Sequence, residues 1–347
     1  MFSLLVSIIM AYTVLFSNSR NKKQEGTDMT ERENALHYIK HDGKAEWIPG
    51  FLDCMEMIFP YEVVRERPTR EEGSGYDYFG CWWEFDPAIG GSSPLPGKHP
   101  CKDVTKWREQ VTFPDPEKLD WSKAKAQADG FDRENKLSMF FWESGPWERF
   151  HALCGFEESL VALYEEPEAV HELMQAITDF KIAMVAKIKE YYNPDIICVL
   201  DDFGHQRGPF MSNELFREMI KPYDTALGKA ITDAGILYCH HSCGCITPLM
   251  QDIYEMGPQM ILGLFAPYND QEKVVKEFGD KLIFIGPIDA QLVSLPESTT
   301  EEVVTETIRC LDVFGPSHSI IFDTGTFVPE KLGPMLETFY QYRGKFF

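Results

Sequence analysis

Residues 195–245 read DIICVLDDFGHQRGPFMSNELFREMIKPYDTALGKAITDAGILYCHHSCGC, and this stretch decides the fold. Two apolar runs, Asp195–Leu200 and Gly235–Tyr238, show no polar alternation, so each reads as a strand buried on both faces. Between them, 212–233 has helical periodicity, opened by Ser212 as N-cap with Glu214 in the first turn. Strand, helix, strand in that order is a parallel βαβ unit.

The same rhythm continues in both directions. Strand-length runs occur at Leu137–Trp142, Met260–Phe265, Lys281–Ile285 and Ser319–Phe322, with an earlier one at Ala45–Leu52. Helical patterns fall at 167–191, 246–256, 270–278, 300–313 and 329–342; Pro167 suits a first turn, and Asn193-Pro194 stops the helix before the 195 strand. Seven strands, with an eighth irregular, suit an α/β fold of the (β/α)8 barrel type better than an open sheet. Residues 66–134 break the pattern. Rich in Pro, Gly, Trp and charge, with the aromatic segment Tyr76–Phe85, they read as an insertion after the first strand whose hairpin roofs the barrel mouth.

The domain expectation is thus one barrel over 29–347, preceded by an apolar extension at 1–28. MFSLLVSIIMAYTVLFS has its basic residues, Arg20, Lys22 and Lys23, after the run rather than before it, so it does not read as a signal peptide. Two readings remain, an anchor and a mis-called start. The second is favoured because Thr30 and Glu33 form a capping-box pattern just after Met29. With 33 Lys and Arg against 55 Asp and Glu the net charge is −22, which repels phosphate backbones and anionic lipid. Nucleic acid and membrane surfaces are therefore poor partners. Nine cysteines are too few for a disulfide scaffold of this length, and point to a reduced, cytoplasmic protein.

Polar residues collect where the strands end, the face at which barrels build active sites. They are Asp53, Glu143, Asp201, Asp202, His241, Cys243, Asp289 and Asp323. His241 and Cys243 fall two apart, so they point the same way in extended chain; imidazole with thiolate favours zinc. Asp201 and Asp202 face different ways, so one can reach a substrate while the other braces a loop. Together with Glu143 they are candidates for positioning substrate or moving a proton. His205 is a candidate acid or base, and Gln206 a neutral donor to substrate.

At this point the segments DDFGHQRGPFMSNELFREMIKPY (201–223), GILYCHHSCG (235–244) and IGPIDAQ (285–291) together resemble the uroporphyrinogen decarboxylase superfamily, in particular its corrinoid-dependent methyltransferase branch. The resemblance runs over about 29–346 and takes in MTERENAL and GYDYFGCWWE. It implies a (β/α)8 barrel. The decarboxylase branch carries an arginine-rich RQAGRY-type segment near the first strand for a polycarboxylate; here Pro49–Glu56 has no arginine. The methyltransferase branch carries HxCG, matched by His241, Cys243 and Gly244, where zinc activates a thiol against a cobalt-bound methyl group. Its third ligand is a cysteine in a PGCG-like segment. Here Phe322-Asp323-Thr324-Gly325-Thr326 stands in that place, leaving Asp323 as third ligand, with Cys245 or Glu143 as alternatives.

The implied function is methyl transfer between a small substrate and a corrinoid. The chain lacks a DxHxxG signature, so the corrinoid is expected from a partner protein; a homodimer also stays open. The alternatives are a decarboxylase, in which Asp53 or Asp77 would stabilise a protonated ring, and a non-catalytic corrinoid- or tetrapyrrole-binding barrel.

Overall fold

Seven parallel strands form one curled sheet in the order β1 (Met55–Ile58), β5 (Leu137–Trp142), β6 (Ile196–Leu200), β9 (Leu237–Ser242), β10 (Met260–Gly263), β11 (Ile283–Ile285) and β12 (Ile320–Ile321). The computed structural model describes residues 29–69, 72–86, 91–326 and 328–347. The extension expected at 1–28 lies outside them, as do positions 70, 71 and 87–90 of the insertion. A parallel bridge between Gly50 and Phe322 brings the two ends of the sheet together. An early residue of the chain meets the late end of the last strand, which is the stagger of a closed, tilted barrel. The fold is an α/β barrel of the TIM type, seven-stranded among the described residues.

The later six strands lie where the apolar runs placed them. The first does not. Pro49-Gly50 makes only the closing bridge, Phe51–Cys54 is a helical turn, and the paired strand starts at Met55. Proline lacks the N–H that continued pairing needs, so the expected Ala45–Leu52 strand breaks there.

Alternation along each strand creates two cores. Met139, Ile196, Cys198, Cys239, Met260, Ile283, Ile285 and Ile321 point into the barrel and form one cluster. Phe140, Trp142, Ile197, Val199, Tyr238, Ile261, Phe284 and Ile320 point outward under the helices and join the larger one. That is why both faces of these strands read as apolar.

The helices close with the punctuation read from the sequence. Thr30 and Glu33 form the capping box of Glu31–Ile39, and Ser212 accepts from the Leu215 N–H at the start of Asn213–Met219. Pro167–Tyr191 runs as one helix, whereas the 212–233 pattern divides at Ile220. Two helices, Pro146–Cys154 and Phe156–Glu165, follow β5 with only Gly155 between them.

The insertion contributes a small antiparallel sheet of β2 (Gly75–Tyr76), β3 (Trp82–Asp86) and β4 (Gly91–Pro94). Buried charge ties it to the barrel. The Arg149 guanidinium, with no exposed surface, donates to Asp77 Oδ2 at 2.6 Å and to Glu66, which also receives Lys181 Nζ at 3.1 Å. None of the helices among the described residues is long and apolar enough to cross a membrane.

Candidate metal centre

Leu200 pairs with His241 in the β6–β9 register, so two residues further on Asp202 comes opposite Cys243. The alternation that points His241 into the barrel mouth carries Cys243 and Asp202 there as well. The backbone confirms the approach: Cys243 N–H donates to Asp202 Oδ1 at 2.6 Å, and Asp201 N–H to the His241 carbonyl at 2.9 Å. The β6 loop turns through a two-residue hairpin, β7 (Gly204–His205) with β8 (Gly208–Pro209). Gly244, at φ +76°, passes so close to this turn that a Cβ would sit 2.4 Å from the Gly204 carbonyl oxygen. Only glycine meets both demands.

The side chains converge. His241 Nε2 lies 3.4 Å from Cys243 Sγ and 3.7 Å from Asp202 Oδ1, and the three donor atoms fit within 4.8 Å of one another. His241 Nδ1 lies 3.0 Å from the Leu262 carbonyl, to which it donates as the protonated nitrogen. That bond fixes the tautomer and leaves Nε2 with its lone pair facing Cys243 and Asp202, the orientation metal-binding histidines take. One nitrogen, one sulfur and one oxygen donor fit zinc with a position left open. Burial pushes the Cys243 thiol up, reinforced by the Asp202 charge; burial and Glu148 likewise raise Asp202. Yet about a third of the Asp202 side chain is exposed (32%), so these groups line a concavity that water reaches. A cation there would reverse both shifts.

Asp202, rather than Asp323, is the carboxylate that the structure places beside His241 and Cys243. Asp323 follows β12 and accepts from the Thr324 and Gly325 N–H groups; burial raises its pKa, and it is not part of the cluster. Cys245 N–H donates to the His205 carbonyl, and its thiol is not part of the cluster. Glu143 accepts from Tyr61 Oη at 2.8 Å and pairs with Arg67 at 3.1 Å.

The carboxylate beside the cluster is Glu148, which the sequence reading passed over. It lies in the first turn of Pro146–Cys154, accepts from the Asp202 N–H, and pairs with His151 Nε2 at 3.3 Å. Burial raises its pKa, but His151 and Arg67 outweigh that and hold it low. A proline two residues ahead and an i, i+3 histidine were its only sequence signals.

Asp201 has a bracing task. It is fully buried and accepts from the Trp147 and Glu148 N–H groups at 3.0 and 2.6 Å, at the N-terminus of the helix carrying Glu148. Gly145 permits the approach, since a Cβ there would lie 2.3 Å from the carboxyl. His205 is exposed, and its Nδ1 accepts from the Arg207 N–H; Gln206 donates to Tyr268 Oη at 3.2 Å. Asp53 accepts from Tyr340 Oη at 2.8 Å. Asp289 caps Ala290–Ser294, and Asp77 is buried among Arg149, Trp83 and two backbone N–H groups. Asp53, Asp77 and Asp289 each have partners within the fold and stand outside the Asp202, His241 and Cys243 cluster.

Residues 133–341 match the family model described as "Uroporphyrinogen decarboxylase (URO-D)". Among solved structures, a methyltransferase from Methanosarcina mazei aligns over 91% of this chain and 99% of its own, with a TM-score of 0.66 and 11% identity, a likeness of fold. No curated protein matches the chain in sequence.

Proposed function

The chain belongs to the uroporphyrinogen decarboxylase (URO-D) family, and from that premise we propose that it is a zinc-assisted methyltransferase, moving a methyl group between a small substrate and a corrinoid. The observation that carries this reading is the Asp202, His241 and Cys243 cluster, with the histidine already oriented by Leu262. The methyltransferase fold neighbour agrees with it. Zinc, when bound there, supplies Lewis acidity to a substrate heteroatom.

The chain's own residues do the rest. His241, Cys243 and Asp202 hold the metal. Glu148, next to Asp202 and 3.3 Å from His151 Nε2, takes or returns a proton at its carboxylate. Arg67, stacked on Trp83 and paired with Glu143, keeps Glu148 ionised without entering the cluster. The corrinoid comes on a partner protein. All nine cysteines are free thiols, as suits a reducing cytoplasm.

Elemental analysis of purified protein tests the reading. Close to one zinc per chain is expected, with affinity lowered at least ~10–100-fold in His241→Ala and Cys243→Ser. Turnover of a methylated donor with free cob(I)alamin is the second arm. Protein that takes up no stoichiometric metal on titration loses the zinc reading, and absence of corrinoid methylation across donors loses the reaction.

A further inference from the structure

The inner core is not closed at its upper end. In the row through His241, Leu200 and Leu262 sit in register on either side of it. Both stay half-buried, as does Phe141 one row below, while Ile283, Ile285 and Ile321 of the same rows are fully buried. Leu200 and Leu262 flank His241 in the register, so the apolar surface that solvent reaches lies beside the imidazole. Two nearby carboxylates already have basic partners: Glu143 lies 3.1 Å from Arg67, and Glu148 3.3 Å from His151 Nε2. An anionic substrate would meet the Asp202 carboxylate next to His241, with Glu148 beyond it. A cationic group seated on the leucines, rather than beside Asp202, would be desolvated without a partner, at a cost of kcal/mol.

We propose that the substrate presents an uncharged apolar body, seated on Leu200, Leu262 and Phe141, with its heteroatom turned toward Asp202, His241 and Cys243. The orientation of the heteroatom rests on the metal reading above; the apolar seat does not. These three side chains are then the specificity determinants, because an apolar pocket discriminates by how well it is filled.

Cobalt(II)-loaded protein provides the assay, with thiolate-to-cobalt absorption reporting binding. Three thiols are titrated: benzyl mercaptan, cysteamine and 2-mercaptoethanesulfonate. Benzyl mercaptan is expected to bind about tenfold or more tighter than either charged thiol. Phe141→Ala is expected to remove about that tenfold while cobalt uptake and cysteamine affinity stay as in the wild type. A charged thiol that binds as tightly as benzyl mercaptan overturns the proposal, and so does a Phe141→Ala protein that keeps the preference. If cobalt is not taken up, the metal reading fails by itself. Ligand-observed NMR with benzyl alcohol and benzoate on wild type and Phe141→Ala then decides the seat: preference for the alcohol, lost in the variant, supports it, and equal binding overturns it.

Discussion

Replacing Asp224 by asparagine should make the protein more stable above neutral pH. Asp224 lies in the helix Lys221–Asp233, fully buried against Asp201, and neither of its oxygens receives a hydrogen from any donor. Asp201 accepts two backbone N–H bonds, yet burial and the Asp224 and Glu148 charges push its carboxyl well above the usual range. A hydrogen bond between the two carboxyls requires a proton held by the pair, and the lower of the two ionisations is that of Asp224. Burial raises that carboxyl from 3.8 to about 7. A folded pKa above the unfolded one gives stability that is complete below about pH 4 and is lost as pH rises through 7. At about 1.36 kcal/mol per unit, the loss is on the order of 4 kcal/mol, a large share of a typical domain's stability. Asparagine keeps a donor toward Asp201 and cannot ionise. Urea midpoints between about pH 5 and 9 should fall for the wild type across neutrality and stay flatter for Asp224→Asn, so that the curves cross. Parallel curves would refute the shared proton.

Other perturbations separate the remaining assignments. Asp202→Ala should lower zinc affinity at least ~10-fold, whereas Asp323→Ala leaves it unchanged; competition with a chromogenic chelator reads both. Arg149→Met leaves Asp77 buried without its cation and Glu66 with Lys181 alone, and should cost about 3–5 kcal/mol in chemical denaturation. Gly244→Ala forces a side chain into a left-handed position against Gly204, and should cost more than ~1 kcal/mol while weakening zinc retention, because Cys243 is displaced.

What could be read from the sequence follows from which forces are local. Strands β5 through β12 of the main sheet were legible because burial on both faces writes an unbroken apolar run such as Ile196–Leu200. Around Gly50 the signal failed: a proline, a glycine and a helical turn interrupt a stretch whose composition still reads as strand. His241 and Cys243 share one strand, so their common direction needed only a period of two. Asp202 needed the β6–β9 register, which no single segment contains, and the choice between it and Asp323 waited for the fold. Asp53 and Asp77 looked like site residues because their partners are remote: Tyr340 lies 287 residues from Asp53, and Arg149 lies 72 from Asp77. Glu148 was hidden for a different reason. Its helix follows β5 directly, in sequence that gave no start signal beyond Pro146.

Closure of the sheet at Gly50 and Phe322 has a consequence for how the protein is made. The contacts that back this seam join residues as far apart as Glu31 and Arg343, 312 positions away. A ribosome delivers the chain from its N-terminus, so β1 waits through nearly the whole of synthesis with an unpaired flank. Until the final helix emerges, the nascent sheet is an open ribbon with two free edges, each a template for a neighbouring chain. A ribosome stalled anywhere before the last strand therefore releases an adhesive intermediate rather than a smaller stable protein.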